Sequence, residues 1–314
     1  MQILIIKPSS LGDVIHALRI AKQIIDNIPD ISIDWVIKSE LKPILEVSGM
    51  VRRNFVYQRA GGIRAYLSLL KQIRLQKYDL VLDLQGLLRS AFLLRCAHSQ
   101  NKIGVADGRE FSTFLYKSIG ESSRKTEIHA IDRLVPFLNH LGVDNWNREL
   151  PLDFPKSQIS PSTHQHIGEK GFILLFPESR RQEKVWPHFA KISKLLNKNS
   201  SHCIVIAGNN RDELYPGTID LRDRIHLAEL PALIDRASVV VSNDSAPLHI
   251  ASSLKKPLVS LFGPTSAKRY GPYPQNSEQN IILTAQEKNL ETITVEQVSF
   301  AIENLYVDNP YYPE

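Results

Sequence analysis

Cysteine is scarce in this sequence, and the two that occur, Cys96 and Cys203, lie far apart in apolar runs. That spacing offers no metal knuckle and no disulfide framework, and it fits a reduced interior. No apolar run approaches the roughly 18 residues that a membrane-spanning helix requires. The apolar start, Ile3 to Ile6, is four residues long and flows into a turn and a helix. No signal peptide is expected from such a start. Neither Gly-x-Gly-x-x-Gly nor Gly-x-x-x-x-Gly-Lys-(Ser/Thr) occurs, so dinucleotide and Walker-type phosphate loops are absent. A carboxylate-rich metal cluster is lacking too, and with it any need for a bound metal. There is no short-period repeat and no low-complexity tract.

What is present is length and alternation. The 314 residues suffice for two domains with full cores. Short apolar runs read as buried strands at Ile3–Ile6, Ile33–Ile37, Leu80–Leu84, Phe172–Phe176, Cys203–Ala207, Val239–Ser242 and Leu258–Phe262. Between them, helical spacing of apolar residues is found at Leu67–Leu75, Leu87–Cys96, Phe189–Leu196, Leu230–Ala237 and Pro247–Leu254. A last helix is predicted over Ile293–Tyr306, opened by the capping box Thr294-x-x-Gln297. Asn145–Ser162, with its three prolines, reads as a linker. The expected architecture is α/β: two doubly wound, Rossmann-like domains facing each other across a cleft. Their expected bounds are 1–155 and 156–290, with residues 291–314 a C-terminal helix packing back on the first domain.

Charge is unevenly placed. Residues 1–150 carry 21 Lys and Arg against 15 Asp and Glu, whereas residues 151–314 carry 17 against 18. A basic first half beside a neutral second half predicts that one lobe meets an anionic partner. Arg52, Arg53, Arg59, Arg64, Lys71 and Arg74 cluster in one region, with Arg89 and Arg95 on a following helix.

Three strand-end corners could carry chemistry. In Ile3–Leu18 the strand feeds the turn Lys7-Pro8-Ser9-Ser10-Leu11-Gly12 and a helix beginning near Asp13. That puts a carboxylate at the carboxyl edge of a sheet, where open α/β sheets bind ligands. Asp13 could equally serve only the helix dipole. After Phe172–Phe176 come Ser179, Arg180, Arg181 and Lys184, three cations and a hydroxyl suited to a phosphate. The competing reading is an exposed charged loop. After Val239–Ser242, Asn243-Asp244-Ser245-Ala246-Pro247 opens a helix that carries His249, and a helix N-terminus favours anions. Here Asp244 could be only a cap and His249 only a packed polar residue. Phe262-Gly263-Pro264-Thr265 follows the next strand and could complete a pocket wall. Together these corners suit transfer of a group from a phosphate-linked donor to an acceptor hydroxyl, with the carboxylate as base and the cations stabilising the departing diphosphate.

The chain resembles the heptosyltransferase family of GT-B glycosyltransferases, glycosyltransferase family 9. The matching pieces are KPSSLGDVIHAL near the start, YDLVLDLQGLLRSA at 78–91, FPESRRQEKVWP at 176–187, SNDSAPLHIAS at 242–252 and FGPTSAKRYGP at 262–272. They span nearly the whole chain, in order, and the 84–90 segment looks most like the enzymes that add the first heptose. The resemblance implies inverting, metal-independent transfer of heptose from ADP-heptose to a Kdo sugar of lipid A in the lipopolysaccharide inner core. It implies Asp13 as general base and Lys184 as the contact to the donor phosphates. Ser179, Arg180, Asp212, Asp244, Ser245, Ala246 and His249 would be donor contacts, with Ala246 standing where the family's Asp-(Thr/Ser)-Gly-x-x-His pattern has glycine. Ser10, Gly12, Arg59 and Arg64 would face the acceptor. No cofactor and no nucleic-acid partner are expected. The expected location is cytoplasmic, peripheral to the inner membrane of a Gram-negative bacterium, with the basic first lobe on the anionic glycolipid. The alternatives are a family member with another acceptor or sugar, such as one adding the second heptose, and a non-catalytic two-lobed binder of an anionic sugar. A nicotinamide-dependent oxidoreductase on the same sheet topology is disfavoured by the missing glycine fingerprint.

Overall fold

A computed structural model of the chain describes residues 1–120, 127–199, 203–210 and 213–307. Two compact units divide the chain, Met1–Lys156 and Ser157–Glu314. In the first, the order is β1 (Gln2–Ile6), α1 (Leu11–Asn27), β2 (Ser32–Lys38), α2 (Lys42–Ser48), β3 (Arg53–Tyr57), α3 (Gly62–Arg74), β4 (Leu80–Asp83), α4 (Leu88–Cys96), β5 (Asn101–Val105), β6 (Lys117–Ile119) and α5 (Val135–His140). The second runs α6 (Pro161–Ile167), β7 (Phe172–Phe176), α7 (Phe189–Asn199), β8 (Cys203–Ile206), β9 (Ile219–Asp220), α8 (Leu230–Arg236), β10 (Val239–Asn243), α9 (Ala246–Ser253), β11 (Leu258–Phe262), α10 (Ala267–Tyr270), β12 (Asn280–Thr284) and α11 (Val295–Val307).

Among the described residues each unit holds one six-stranded sheet, ordered β3-β2-β1-β4-β5-β6 and β12-β11-β10-β7-β8-β9. Every pairing in both is parallel. Relabelled from its own first strand, the second sheet has the same order as the first. The chain direction across each sheet reverses between β1 and β4, and again between β7 and β10. Such switch points leave a crevice at the carboxyl ends of the two strands, and ligands of open α/β sheets bind there.

The strands sit where they do because both sheet faces are covered. Ile3, Leu4, Ile5 and Ile6 are all fully buried, as are Val239, Val240 and Val241. A parallel sheet buried on both faces reads as an unbroken apolar run, which is why these strands stood out in the sequence. On one side of the first sheet, Leu4, Ile6, Val36 and Phe55 pack with Leu69, Leu70 and Ile73 of α3 and Ala91 and Leu94 of α4. In the second unit Trp186 and Phe189 anchor the core, and the Trp186 indole donates to the Ile293 carbonyl at 2.8 Å.

Two segments named in the sequence are placed here. The last helix does carry its capping box, with Thr294 N–H on Gln297 Oε1 at 2.8 Å and Gln297 N–H on Thr294 Oγ1 at 3.2 Å. Its Val298, Ala301, Ile302 and Leu305 belong to the second unit's core. Its apolar stripe covers that sheet on the α7 side, as a layer of the second unit's core. The start of the expected linker is also pinned down. Gln23 exchanges hydrogen bonds with the Asn147 backbone at 2.7 and 3.1 Å, and Arg19 donates to the Arg148 carbonyl at 2.7 Å. These bonds satisfy two polar side chains buried on α1.

Candidate active site

In the first unit the switch point is lined by Lys7, Ser10 and Asp13 after β1, and by Asp83 at the end of β4 with the turn to Gly86 that follows. Ser10 stands before the first turn of α1, and its N–H and Oγ donate to Asp13 Oδ2 at 2.9 and 2.7 Å. Asp13, the third residue of α1, thereby completes a capping box with Ser10. Its second oxygen, Oδ1, is turned toward Lys7 Nζ at 3.8 Å, and the side chain is 45% exposed. One carboxylate oxygen holds the helix while the other faces the sheet edge. Burial pushes the Asp13 carboxyl up, but the Lys7 ammonium and the Ser10 hydrogen bonds outweigh it and hold the group well below the carboxylate range. Gly12 is buried in the same turn.

Lys7 is the residue that sequence reasoning passed over. It is buried at the end of β1, and its Nζ donates to the Leu84 carbonyl at 3.0 Å, joining the two strands that flank the crevice. A lysine directly after a fully apolar strand was the available signal. Asp83 is the second omission. Wholly buried, it accepts from the N–H of Gln85 at 2.9 Å, of Gly86 at 3.0 Å and from Ser90 Oγ at 2.9 Å. Burial pushes its carboxyl up to about 6, against those hydrogen bonds and the Lys7 charge. Gly86 is required there: its φ is +68°, and a Cβ would stand 2.5 Å from Val105 Cγ2.

In the second unit Lys184 and Asp244 close the switch point between β7 and β10. The Lys184 ammonium sits 2.5 Å from Asp244 Oδ2, with side chains 16% and 7% exposed. Thr265, from the turn after β11, donates to the same oxygen at 2.6 Å. Ser179 Oγ donates to the Asp244 carbonyl at 3.4 Å. Asn243 fastens the loop behind them, donating to the Pro177 carbonyl at 3.0 Å and accepting from the Trp186 N–H at 3.0 Å. Ser245, Ala246 and His249 lie at the start of α9, each half-buried, and Ser245 Oγ is 3.2 Å from Ser242 Oγ. The loops after β7, β10 and β11 thus bring a cation, a carboxylate, hydroxyls and a helix N-terminus together, an arrangement that suits an anion.

The remaining predicted residues separate. Arg180 is exposed on the same loop. Glu178 accepts from the N–H groups of Asn209 and Asn210, tying that loop to the end of β8. Asp212 lies outside the described residues. Arg59 lies in the turn before α3, and Arg64 is exposed on the first turns of that helix. The basic cluster expected around them is not one surface. Arg52 is withdrawn from it: its Nε and Nη2 donate to the buried Asp34 at 2.9 and 2.8 Å, at the opposite end of the strands. Arg74 lies about 15 Å along α3 from Arg64, at 1.5 Å per residue. Among the described residues no group of His, Cys, Asp and Glu is arranged to hold a metal ion.

Two doubly wound six-stranded units, each with a polar switch point, define the architecture of GT-B glycosyltransferases. Residues 66–298 match the model of glycosyltransferase family 9 (heptosyltransferase). The chain belongs to that family and is a glycosyltransferase. It is 25% identical over 290 residues to lipopolysaccharide heptosyltransferase 3 of Escherichia coli, covering 85% of each chain. It is equally 25% identical to lipopolysaccharide heptosyltransferase 1 of Salmonella typhimurium over 330 residues, covering 95% of this chain and 98% of the relative. Its fold matches the solved E. coli heptosyltransferase WaaC with ADP, at a TM-score of 0.80 and 24% identity over 97% of this chain and all (100%) of the other.

Proposed function

We propose that the chain transfers heptose from ADP-heptose to a Kdo residue of the lipid A inner core, with inversion at the anomeric carbon and without a metal. The acceptor hydroxyl attacks that carbon, a new C–O bond forms, and the bond to the diphosphate breaks to release ADP. Asp13 takes the hydroxyl proton through the oxygen not engaged by Ser10. Held below the ordinary carboxylate range, it is ionised at neutral pH and free to accept that proton as the new bond forms. Lys184 turns from Asp244 to the diphosphate and offsets the charge that grows on it. Asp244, Ser245, Ala246, His249, Ser179 and Arg180 line the nucleotide-sugar site, with Asp212 a further donor contact, and Ser10, Gly12, Arg59 and Arg64 face the acceptor.

The observation that carries this reading is the Lys184–Asp244–Thr265 cluster at the switch point of the second sheet, in a chain of this family. Equal identity to relatives named for the first and third heptose additions favours keeping a second acceptor in view, a core already bearing heptose. Incubation with ADP-heptose and either Kdo-lipid A or heptosylated core, followed by product mass, tests both. A gain of one heptose on Kdo-lipid A is expected. No gain on it, or a gain only on the heptosylated core, rejects the Kdo assignment. The enzyme would then work at the cytoplasmic face of the inner membrane of a Gram-negative cell, and no helix among the described residues is long and apolar enough to cross a bilayer.

A further inference from the structure

The turn after β4 presents a side chain that the proposed chemistry has not used. Gln85 is half-buried and follows β4, which lies beside β1 in the sheet. Its backbone is held from both sides. Its own N–H and that of Gly86 donate to Asp83 Oδ1 at 2.9 and 3.0 Å. The Gly86 carbonyl accepts from the Arg109 N–H at 2.7 Å and from Ser112 Oγ at 3.1 Å. A backbone fixed in this way places a functional group reproducibly.

The side chain crosses the crevice. Gln85 Oε1 accepts from the Ser9 N–H at 3.5 Å, in the turn after β1. The next N–H along, that of Ser10, donates to Asp13 Oδ2 at 2.9 Å. The Gln85 amide and the Asp13 carboxylate are therefore seated on neighbouring N–H groups of one turn. Ser9 N–H is a donor, so the amide oxygen faces it and the amide nitrogen is the end left over. Among the described residues Gln85 Nε2 donates to no protein group.

We infer that Gln85 is an acceptor-binding residue, whose Nε2 donates to an oxygen of the acceptor sugar beside the hydroxyl that Asp13 deprotonates. The chemistry suits the place. An amide whose oxygen is engaged offers only N–H donors at its other end, and these take a lone pair. Such a donor holds the sugar without competing for the proton that Asp13 must receive. It is also neutral, so it adds no charge beside the Lys7–Asp13 pair. A tether for Ser9 needs only an acceptor, whereas an amide supplies a donor as well. The inference rests on the glycosyl-transfer reading and adds what orients the acceptor next to the base.

Two substitutions separate binding from tethering. Gln85→Glu keeps an oxygen for the Ser9 N–H and loses the donor, whereas Gln85→Met loses both and adds no charge. Steady-state kinetics of the full chain with ADP-heptose and Kdo-lipid A should show the acceptor KM raised about tenfold in each variant. The KM for ADP-heptose should stay at the wild-type value in both, and Gln85→Glu should unfold at the wild-type temperature. An acceptor KM unchanged in both variants overturns the inference. A rise in Gln85→Met alone overturns it by reducing Gln85 to a tether for Ser9. A rise in Gln85→Glu alone overturns it as charge repulsion, and an equal rise in the KM for ADP-heptose overturns it as a general distortion of the site. A wild type that acts only on the heptosylated core rejects the Kdo assignment, and a raised KM for that core in both variants then keeps Gln85 in its role. Transfer by the wild type to neither acceptor overturns both readings.

Discussion

Lys184 and Asp244, 60 residues apart in the chain, form an ion pair across the switch point of the second sheet. The pair neutralises both charges, and Thr265 shares the same carboxylate oxygen. On the proposed function, a diphosphate bound there has to compete with Asp244 for the ammonium. Asp244 then keeps the Thr265 hydroxyl, which limits how badly the carboxylate is left unpaired. In the proposed donor site the pair would store the cation as well as make a structural contact.

Lys184→Ala should therefore do two separable things. Loss of one preorganised cation lowers kcat/KM about 10²–10³-fold. Leaving Asp244 unpaired in a nearly buried corner destabilises the fold by about 1–3 kcal/mol. Adding Asp244→Asn removes the orphaned charge, so the double variant should recover the unfolding temperature and not the activity. Thermal melts beside steady-state kinetics read both. Recovery of turnover with stability would mean that Lys184 only balances Asp244.

Asp13→Ala separates chemistry from capping in the same way. As a first-turn acid the side chain is worth about 0.3–1 kcal/mol to α1. As a general base it is worth about 10²–10⁴-fold in rate. The expected outcome is a small drop in unfolding temperature, near-normal ADP binding by calorimetry, and loss of turnover. A rate loss under threefold would reduce Asp13 to a cap.

Much of this was readable in advance, and what was not has a physical reason. β7 and β11 are found where their apolar runs predict them because both faces of each strand are buried. β3 (RNFVY), β6 (KSI) and β9 (ID) escape because they lie at the sheet edges, where every residue but Phe55 is exposed or half-buried and no such run appears. Asp13, Lys184 and Asp244 were legible as polar residues just past strand ends. Their partners were not: the Lys184–Asp244 contact depends on β7 lying beside β10, and the Lys7–Leu84 bond on β1 lying beside β4. Arg52 misled because sequence proximity to Arg59 and Arg64 says nothing about which end of β3 a residue occupies.

Lys7 is a positioning residue with a pH signature. It holds the Asp13 carboxyl below its ordinary 3.8. A carboxyl so depressed adds stability that is complete above that value and is lost as pH falls through the acid range. In Lys7→Met the Asp13 proton affinity rises, so the acid limb of the kcat profile should move to higher pH, and part of the acid-side stability should vanish. Lys7→Arg should restore much of both. A profile that stays fixed in Lys7→Met would show that the Ser10 hydrogen bonds alone set Asp13.

Asp83 titrates with the opposite sign. Burial lifts its carboxyl to about 6 from 3.8, so the folded chain holds this proton more tightly than the unfolded one. Its contribution is greatest below the unfolded value and is lost as pH rises through about 6. Asp83→Asn keeps an oxygen for the Gln85 and Gly86 N–H groups and offers its amide to Ser90 Oγ, so the β4 turn should persist. The variant should remove the decline in stability between pH values near 4 and 6 that Asp83 imposes, measured by urea unfolding across that range. At neutral pH it should be at least as stable as the parent, because a buried charge has been replaced by a satisfied amide. A variant that unfolds more easily at neutral pH would mean that the ionised carboxylate, with Lys7 close by, is what holds the two strands of the crevice together.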